Sequence, residues 1–200
     1  MLREEQVRKY WEQRATEHGA QAVGFSNKPL DFQLKMCEER KKFIFPHCPR
    51  SLRTLDFGCG TGNFADCFES YLGMDINETF LSFAKKTHPE KNFILLEQPI
   101  PSEKTVLSFQ PELFFSATVL QHNSDELVEK IFKSIAQIGR EITFSLYENS
   151  QVKTGHVKGR TSEEYLELFD KDFKVLTFRS FSHYVHNEEH SLTLVEVRPL

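Results

Sequence analysis

The pattern of apolar and polar positions predicts two helices at the start of the chain. In the first, the larger side chains fall three and four positions apart, which places them near one face of a helix. These residues are Val7, Tyr10, Trp11 and Arg14. A second helix is predicted over residues 30–43, and its charged run at positions 38–42 is typical of a solvated face. Prolines at positions 46 and 49 end this helix.

From residue 51 onwards, short apolar runs alternate with helical patterns. The runs predict strands at about residues 52–57, a second ending at residue 75, then 93–96, 112–116 and 142–148. Helices are predicted between them, at 63–70, 77–86 and 124–138. A polar, flexible connection is expected over 149–160, before a capping box of Thr161 and Glu164 opens another helix. Two final strands, about 173–181 and 191–197, complete an α/β pattern.

The first strand runs into a glycine-rich turn, Asp56-Phe57-Gly58-Cys59-Gly60-Thr61-Gly62. Glycines at alternate positions allow positive φ and let the backbone approach a bulky ligand. The N-terminus of the helix predicted over 63–70 would suit a carboxylate or phosphate. Asp75 ends the second strand, where a carboxylate can accept both hydroxyls of a ribose. Together these features indicate a nucleoside cofactor site.

The spacing of the glycines narrows the choice of cofactor. A dinucleotide fingerprint needs glycine where Asn63 stands, and a P-loop sequence is absent. The order Asp56-x-Gly58-x-Gly60-x-Gly62, followed by an acid at Asp75, resembles motif I and the next acidic residue of class I S-adenosylmethionine (SAM) dependent methyltransferases. The motif covers about an eighth of the chain.

The resemblance implies a fold and a set of roles. The fold is a Rossmann-like, mostly parallel sheet of seven strands in the order 3-2-1-4-5-7-6, with helices on both faces. One domain is expected over residues 1–200, with a helical cap at 1–45 and a SAM-binding core at 51–200. Cofactor contacts fall on Asp56, Gly58, Cys59, Gly60, Gly62, Asp75, Ile76, Gln98 and Thr118. Among these, Asp56 would lie near the cofactor's amino group, Asp75 would hold the ribose, and Gln98 would contact adenine.

Residues just past the fourth and fifth strands are candidates for contact with the methyl acceptor. His122 is the best candidate for a general base, because a neutral imidazole with a pKa near 6.5 takes a proton at neutral pH. A loop histidine bonded to backbone is the equally weighted alternative. Tyr147 and Glu148 are expected to face the same crevice. We also expect Tyr10 and Trp11 to contact cofactor or substrate if the first helix closes over the site as a lid. The equally weighted alternative is that Trp11 only docks this helix on the core.

Composition limits the partners. The net charge of −4 disfavours nucleic acid as a substrate and leaves a small molecule. With no apolar leader and no apolar run of eighteen residues, we expect a cytoplasmic protein without a membrane span. The four cysteines lack metal-site spacing. His183, His186 and His190 flank a strand–turn–strand segment that does not bring three rings together, so no metal is predicted.

The type of reaction stays open between related choices. A D/N-P-P-Y motif for amide or base-amine methylation is absent, and so is a P-C dipeptide for attack on pyrimidine carbon. Methylation of an oxygen or nitrogen of a small molecule is therefore favoured, and carbon is not excluded. Two alternatives remain: a SAM-binding partner or sensor without turnover, and an aminopropyltransferase-like enzyme on the same sheet.

Overall fold

The computed structural model describes residues 4–23, 28–139, 141–148, 156–169, 173–185 and 188–200. Seven strands within these ranges form one sheet in the order β3-β2-β1-β4-β5-β7-β6, as predicted. The strands are β1 Thr54–Phe57, β2 Tyr71–Asp75, β3 Asn92–Leu95, β4 Leu113–Ala117, β5 Thr143–Glu148, β6 Phe173–Val185 and β7 Glu188–Pro199. The first five are mutually parallel, and β7 pairs antiparallel with β5 and β6.

Six α-helices are present in the same ranges. They are α1 Glu4–His18, α2 Leu30–Ile44, α3 Glu78–Thr87, α4 Glu103–Phe109, α5 Asp125–Ile138 and α6 Ser162–Phe169. Local capping fixes several starts: Asn77, Ser124 and Thr161 each accept a backbone N–H of the following turn. None of these helices combines the length and apolar character that crossing a membrane requires.

Alternation along the strands builds a core on each face of the sheet. Phe114 of β4 packs with the apolar faces of α4, α5 and α6, whereas its neighbour Phe115 packs on the other side, against Phe64, Phe68 and the end of α2. Successive side chains of a strand point to opposite faces, so a parallel strand covered on both sides is apolar throughout. Many of the nineteen phenylalanines lie in these two layers.

The helix predicted over residues 63–70 is wrong. Only a three-residue 3₁₀ turn, Ala65–Cys67, forms there. Phe68 is already extended, with φ −125° and ψ 140°, because the chain must return at once to the start of β2. Burial of Phe64 and Phe68 stabilises this turn in place of a second helical turn. Three further differences concern α4, which the sequence pattern missed, and β6 and β7, which are longer than predicted.

Candidate active site

The glycine-rich turn after β1 is held against β2 by backbone hydrogen bonds. The N–H groups of Gly58 and Cys59 donate to the carbonyl of Met74 at 2.7 and 3.0 Å. Gly58, Gly60 and Gly62 have φ values of 72°, 55° and 81°. Side chains with a Cβ rarely adopt this left-handed region, so glycine is strongly favoured at each position.

Two of these glycines are also covered by valine side chains of the protein itself. A Cβ on Gly58 would lie 2.4 Å from Cγ1 of Val119, which comes from the segment after β4. A Cβ on Gly60 would lie 2.8 Å from Cγ1 of Val23, at the end of the 3₁₀ helix that follows α1. The glycines therefore allow close packing of two neighbouring segments as well as the ligand approach that their pattern predicts.

Asp75 presents a carboxylate fixed from two sides. Its Oδ2 accepts the N–H of Gly60 and its Oδ1 accepts the N–H of Asn77, both at 2.8 Å. Each oxygen keeps a further lone pair for a ligand hydroxyl. Burial raises the pKa of Asp75 to about 6, although the two backbone hydrogen bonds oppose this shift.

Asp56 lies deeper in the same turn and is almost fully buried. The hydroxyl of Tyr71 donates to its Oδ2 at 2.7 Å. Burial raises the pKa of Asp56 to about 7; the Tyr71 hydrogen bond lowers it, and the charge of Asp75 adds to the increase. A cationic group placed beside Asp56 would return the carboxyl to its ionised form.

A cavity of about 510 Å³ joins these acids to the segment after β4. Its size falls in the range of roughly 300 to 1,000 Å³ that small-molecule sites occupy. The predicted site residues on its wall are Trp11, Asp56, Gly58, Cys59, Gly60, Asp75, Ile76, Thr118 and His122. The other predicted site residues do not line it: Tyr10, Gly62, Gln98, Tyr147 and Glu148. Gln98 is exposed, and its adenine contact stays a prediction.

Tyr147 and Glu148 do not face the crevice as the sequence interpretation had them. Both are fully buried, because pairing with β7 continues to the end of β5 and keeps these residues inside the sheet. The hydroxyl of Tyr147 lies 3.5 Å from Sγ of Cys48 and donates to the carbonyl of Ile44 at 3.4 Å. Tyr147 is therefore a core residue, on the face of the sheet opposite to Leu146.

Glu148 instead anchors the segment that carries His122. Its Oε1 accepts the hydroxyl of Ser116 at 3.1 Å. The backbone N–H groups of Val119 and Leu120 also donate to Oε1, at 3.1 and 3.0 Å, and that of Gln121 donates to Oε2 at 3.3 Å. Burial raises the pKa of Glu148, and the backbone donors oppose that change. A buried acceptor with this many donors fixes the turn in one conformation.

Arg160 holds the same segment from the other side. Its guanidinium donates to the carbonyls of Leu120 and Asn123 at 2.9 and 2.6 Å, and to Asp125 Oδ1 at 2.9 Å. Lys158 also pairs with Asp125. Arg160 is 1% exposed, so the end of the connection predicted as flexible is in fact packed. Residues 149–155 of that connection lie outside the described ranges.

His122 lines the cavity as a buried, neutral imidazole. Its Nδ1–H donates to the carbonyl of His156 at 3.0 Å, which leaves the lone pair on Nε2. That lone pair faces the side-chain amide nitrogen of Gln121 at 3.3 Å. Burial lowers the pKa of His122 to about 4, whereas the ordinary value near 6.5 was assumed from sequence.

The first helix lies over the cavity. The ring of Trp11 packs edge-on against His122, with centroids 5.0 Å apart. Tyr10 lies behind it and makes a 3.1 Å hydrogen bond between its hydroxyl and Nε2 of His156. Arg8, which sequence reasoning missed, donates to the carbonyls of Ile76, Leu96 and Glu97 at 2.9, 3.1 and 2.9 Å. Arg8 therefore ties α1 to the ends of β2 and β3.

Comparison with known proteins agrees with this geometry. Residues 55–141 match the family model described as a methyltransferase domain. This part of the chain, which carries the glycine turn, Asp75 and His122, is a SAM-dependent methyltransferase domain. No curated protein matches it in sequence.

Solved structures share the fold of this methyltransferase at low sequence identity. A SAM-dependent methyltransferase from Anabaena variabilis has a TM-score of 0.71 and 17% identity over 97% of this chain and 95% of its own. A magnesium protoporphyrin IX methyltransferase from Synechocystis with bound S-adenosylhomocysteine (SAH) has a TM-score of 0.67 and 14% identity, over 96% of this chain and 98% of its own. Phosphoethanolamine N-methyltransferase 1 from Haemonchus contortus, in complex with phosphoethanolamine and SAH, has a TM-score of 0.68 and 14% identity, over 100% of this chain and 50% of its own.

The residues of this methyltransferase fit its cofactor, SAM. The two free acceptor positions of Asp75 match the two hydroxyls of a ribose, and the carboxyl of Asp56 suits an ammonium group. The glycine turn provides the close backbone approach between them. When bound, SAM supplies an electrophilic methyl group on its sulfonium.

Proposed function

We propose that the enzyme methylates an oxygen or nitrogen nucleophile of a small molecule, with His122 accepting the proton of the nucleophile. The observation that carries this proposal is a single cavity whose wall includes both Asp75 and His122. The named acceptors of two structural neighbours, a porphyrin and phosphoethanolamine, are also small molecules. The net charge of −4 gives no general attraction for nucleic acid.

The chain's contribution to the reaction is to position groups and exclude water. Residues 1–45 act in this proposal as a cap: Trp11 and Val23 on one side and Val119 on the other surround the space above the glycine turn. Holding a nucleophile in line is worth roughly 7 to 11 kcal/mol of the barrier. A base adds about 10²- to 10⁴-fold, and the low pKa of His122 places its contribution near the lower end.

His122→Asn tests the role of the base. The asparagine amide can still donate to the carbonyl of His156 but offers no basic lone pair, so the fold should survive. We expect kcat to fall by about 10- to 100-fold while SAM affinity changes little. Methyl transfer from labelled SAM into fractionated small metabolites and macromolecules of the source cell identifies the acceptor, and calorimetry measures SAM binding.

Two controls test whether a loss of activity is specific to the basic group of His122. His18→Asn changes an exposed histidine at the end of α1 and should leave kcat unaltered. Because the pKa of His122 is about 4, the wild-type rate should show no loss from its protonation between pH 6 and 9. Full activity in His122→Asn would remove the base from the mechanism, and labelling of macromolecules alone would contradict a small-molecule acceptor.

A further inference from the structure

Arg40 occupies a position where a helix normally places an apolar residue. It stands four residues after Met36 and four before Ile44, and both of these are buried, at 3% and 0% exposure. Phe32, one turn earlier, is 2% exposed. Residues four apart share one face of a helix, so Arg40 lies on the same side of α2 as these buried residues and is itself half-buried, which differs from the solvated face predicted for residues 38–42.

The Arg40 guanidinium lacks the partners that its neighbours have. Lys41 pairs with Asp66 at 3.2 Å, and Lys42 pairs with Glu39 at 2.6 Å. Within the residues that the structure describes, Arg40 makes no ion pair, and its buried Nε has no hydrogen-bond partner. Burial lowers the pKa of Arg40, and the nearby Cys37 and Glu148 oppose this shift. Glu148 itself is already engaged by backbone donors.

The position of Arg40 in the cavity indicates what it binds. Arg40 is on the cavity wall, together with Leu30 and Leu34 of the same helix, which are 52% and 59% exposed. On the same side of α2, the carbonyl of Ile44 accepts the hydroxyl of Tyr147 of β5, and Phe32 and Met36 pack with Val185 of β6. Asp75 ends β2, on the other side of β1 and β4. Arg40 therefore lies toward the β5 and β6 side of the cavity, away from Asp75.

We propose that Arg40 binds a carboxylate or phosphate of the methyl acceptor, which makes the acceptor a small anion with an apolar body. This inference rests on the proposed function, because it assigns the acceptor to the cavity shared with SAM. A planar guanidinium recognises either anion with two parallel hydrogen bonds. Arg40 is half-buried and its Nε is buried without a partner, which is costly, and a ligand that supplies a counter-ion offsets part of this cost.

The test uses small probes whose shapes match and whose charges differ. Benzoate, phenyl phosphate and neutral benzamide are titrated by NMR into the full-length protein, with and without SAH. We expect at least one of the anions to bind about tenfold or more tightly than benzamide. Arg40→Gln should abolish that preference, Arg40→Lys should keep part of it, and Lys35→Gln, which removes an exposed charge from the same helix, should keep all of it.

Two further measurements distinguish acceptor binding by Arg40 from a role in stability and from a role in binding the cofactor. Arg40→Gln should leave the melting temperature unchanged or raise it, because a half-buried charge with an unpartnered Nε is removed. SAH and methylthioadenosine, which lacks the amino-acid part, should each bind Arg40→Gln and wild type equally. A selective loss of SAH affinity would assign Arg40 to the cofactor's carboxylate and overturn the proposal. Equal binding of anions and benzamide, or binding of none, would overturn it too.

These outcomes are distinct from failure of the proposed function. If wild-type protein does not bind SAH, methyl transfer in this cavity fails as a function. The anion preference and its dependence on Arg40 are still decided by the titrations without SAH. If SAH binds and the anion preference is absent, only the assignment of Arg40 fails.

Discussion

Asp75 experiences two opposing influences, and their balance sets how cofactor binding depends on pH. Burial favours the protonated carboxyl, while the N–H groups of Gly60 and Asn77 favour the ionised form. With a pKa of about 6, Asp75 is mainly ionised at pH 7 and mainly protonated at pH 5. Ribose hydroxyls donate best to the ionised form, so binding should release a proton in acid.

We predict that SAM affinity falls as the pH decreases below 6. Asp75 alone should raise the dissociation constant by about tenfold for each unit well below its pKa, since its proton must be lost on binding. Asp56, whose pKa is about 7 and which suits the ammonium group, adds a second proton to this dependence. Asp75→Asn should bind SAM roughly 10- to 100-fold more weakly at pH 7 and show a smaller pH effect. Calorimetry in buffers of different ionisation enthalpy measures the proton release. Asp31→Asn, exposed at the start of α2, is the control. A slope unaltered by Asp75→Asn would contradict the assignment.

Single residues differ in how far their roles could be predicted from sequence. The glycines and Asp75 were found because a local turn demands them and their spacing is short. Arg8 and Arg160 were missed because their partners lie 68 and 40 residues away, and such contacts leave no periodic pattern. Arg40 did carry a signal, since its spacing from Met36 and Ile44 marks the side of α2 that carries the buried residues; the surrounding charges hid it.

At the scale of elements, α1 is attached to the cavity's edge by polar contacts of Arg8 and by apolar packing of Ala15 and Trp11 with Phe80. Arg8 makes three hydrogen bonds to the carbonyls that follow β2 and β3. Trp11 and Val7 line the cavity below it. These contacts lie outside the sheet, so α1 could detach without unfolding it, which is what a lid requires.

We predict that Arg8→Ala speeds the release of SAH. Loss of charged hydrogen bonds, worth about 1.5 to 3 kcal/mol each, should raise the dissociation rate by at least about tenfold. Trp11 is the only tryptophan, so its emission follows α1 in a stopped-flow experiment. Lys9→Ala, which removes the adjacent exposed cation, should release SAH at the wild-type rate. Equal SAH release rates in wild type and both variants, or Trp11 emission that does not change when SAH is added, would make α1 a static packing element.

Elements with local signals were the most predictable. The positions of most strands and the helix starts at Asn77, Ser124 and Thr161 follow from alternation and capping, which act over a few residues. The strand order was implied by the resemblance to class I methyltransferases and is confirmed. The helix over 63–70 failed because the distance back to β2, a property of the sheet, decided its conformation. Tyr147 was misplaced for a similar reason, since the end of β5 is set by its pairing with β7.

Across the whole molecule, the segment after β4 is held between two distant parts of the chain. Glu148 binds it from the end of β5, and Arg160 binds it from the residues before α6. His122 lies between these anchors. The position of the proposed base is therefore determined by the assembled fold more than by its own segment.

We predict that Glu148→Gln both destabilises the protein and lowers kcat. The amide offers one acceptor where the carboxylate offers two, so a buried N–H loses its partner at a cost of about 1 to 3 kcal/mol. The melting temperature should fall by roughly 2 to 12 °C. SAM affinity should stay near wild type, because Glu148 does not line the cavity. Glu129→Gln on α5 should change neither quantity, and unchanged kcat in Glu148→Gln would separate the anchor from catalysis.

Thr118 directly follows β4, at the start of the segment that carries His122, and has a φ of 59°, in the left-handed region. Its N–H donates to the carbonyl of Tyr147 at 2.8 Å, and Glu148 holds the next three backbone N–H groups. A β-branched residue in this conformation costs of order 1 to 3 kcal/mol, and glycine would relieve the strain. Replacing Thr118 by glycine should therefore raise the melting temperature of the enzyme. The same substitution removes a side chain from the cavity wall, so the gain in stability would come with a loss of selectivity for the ligand that the cavity binds.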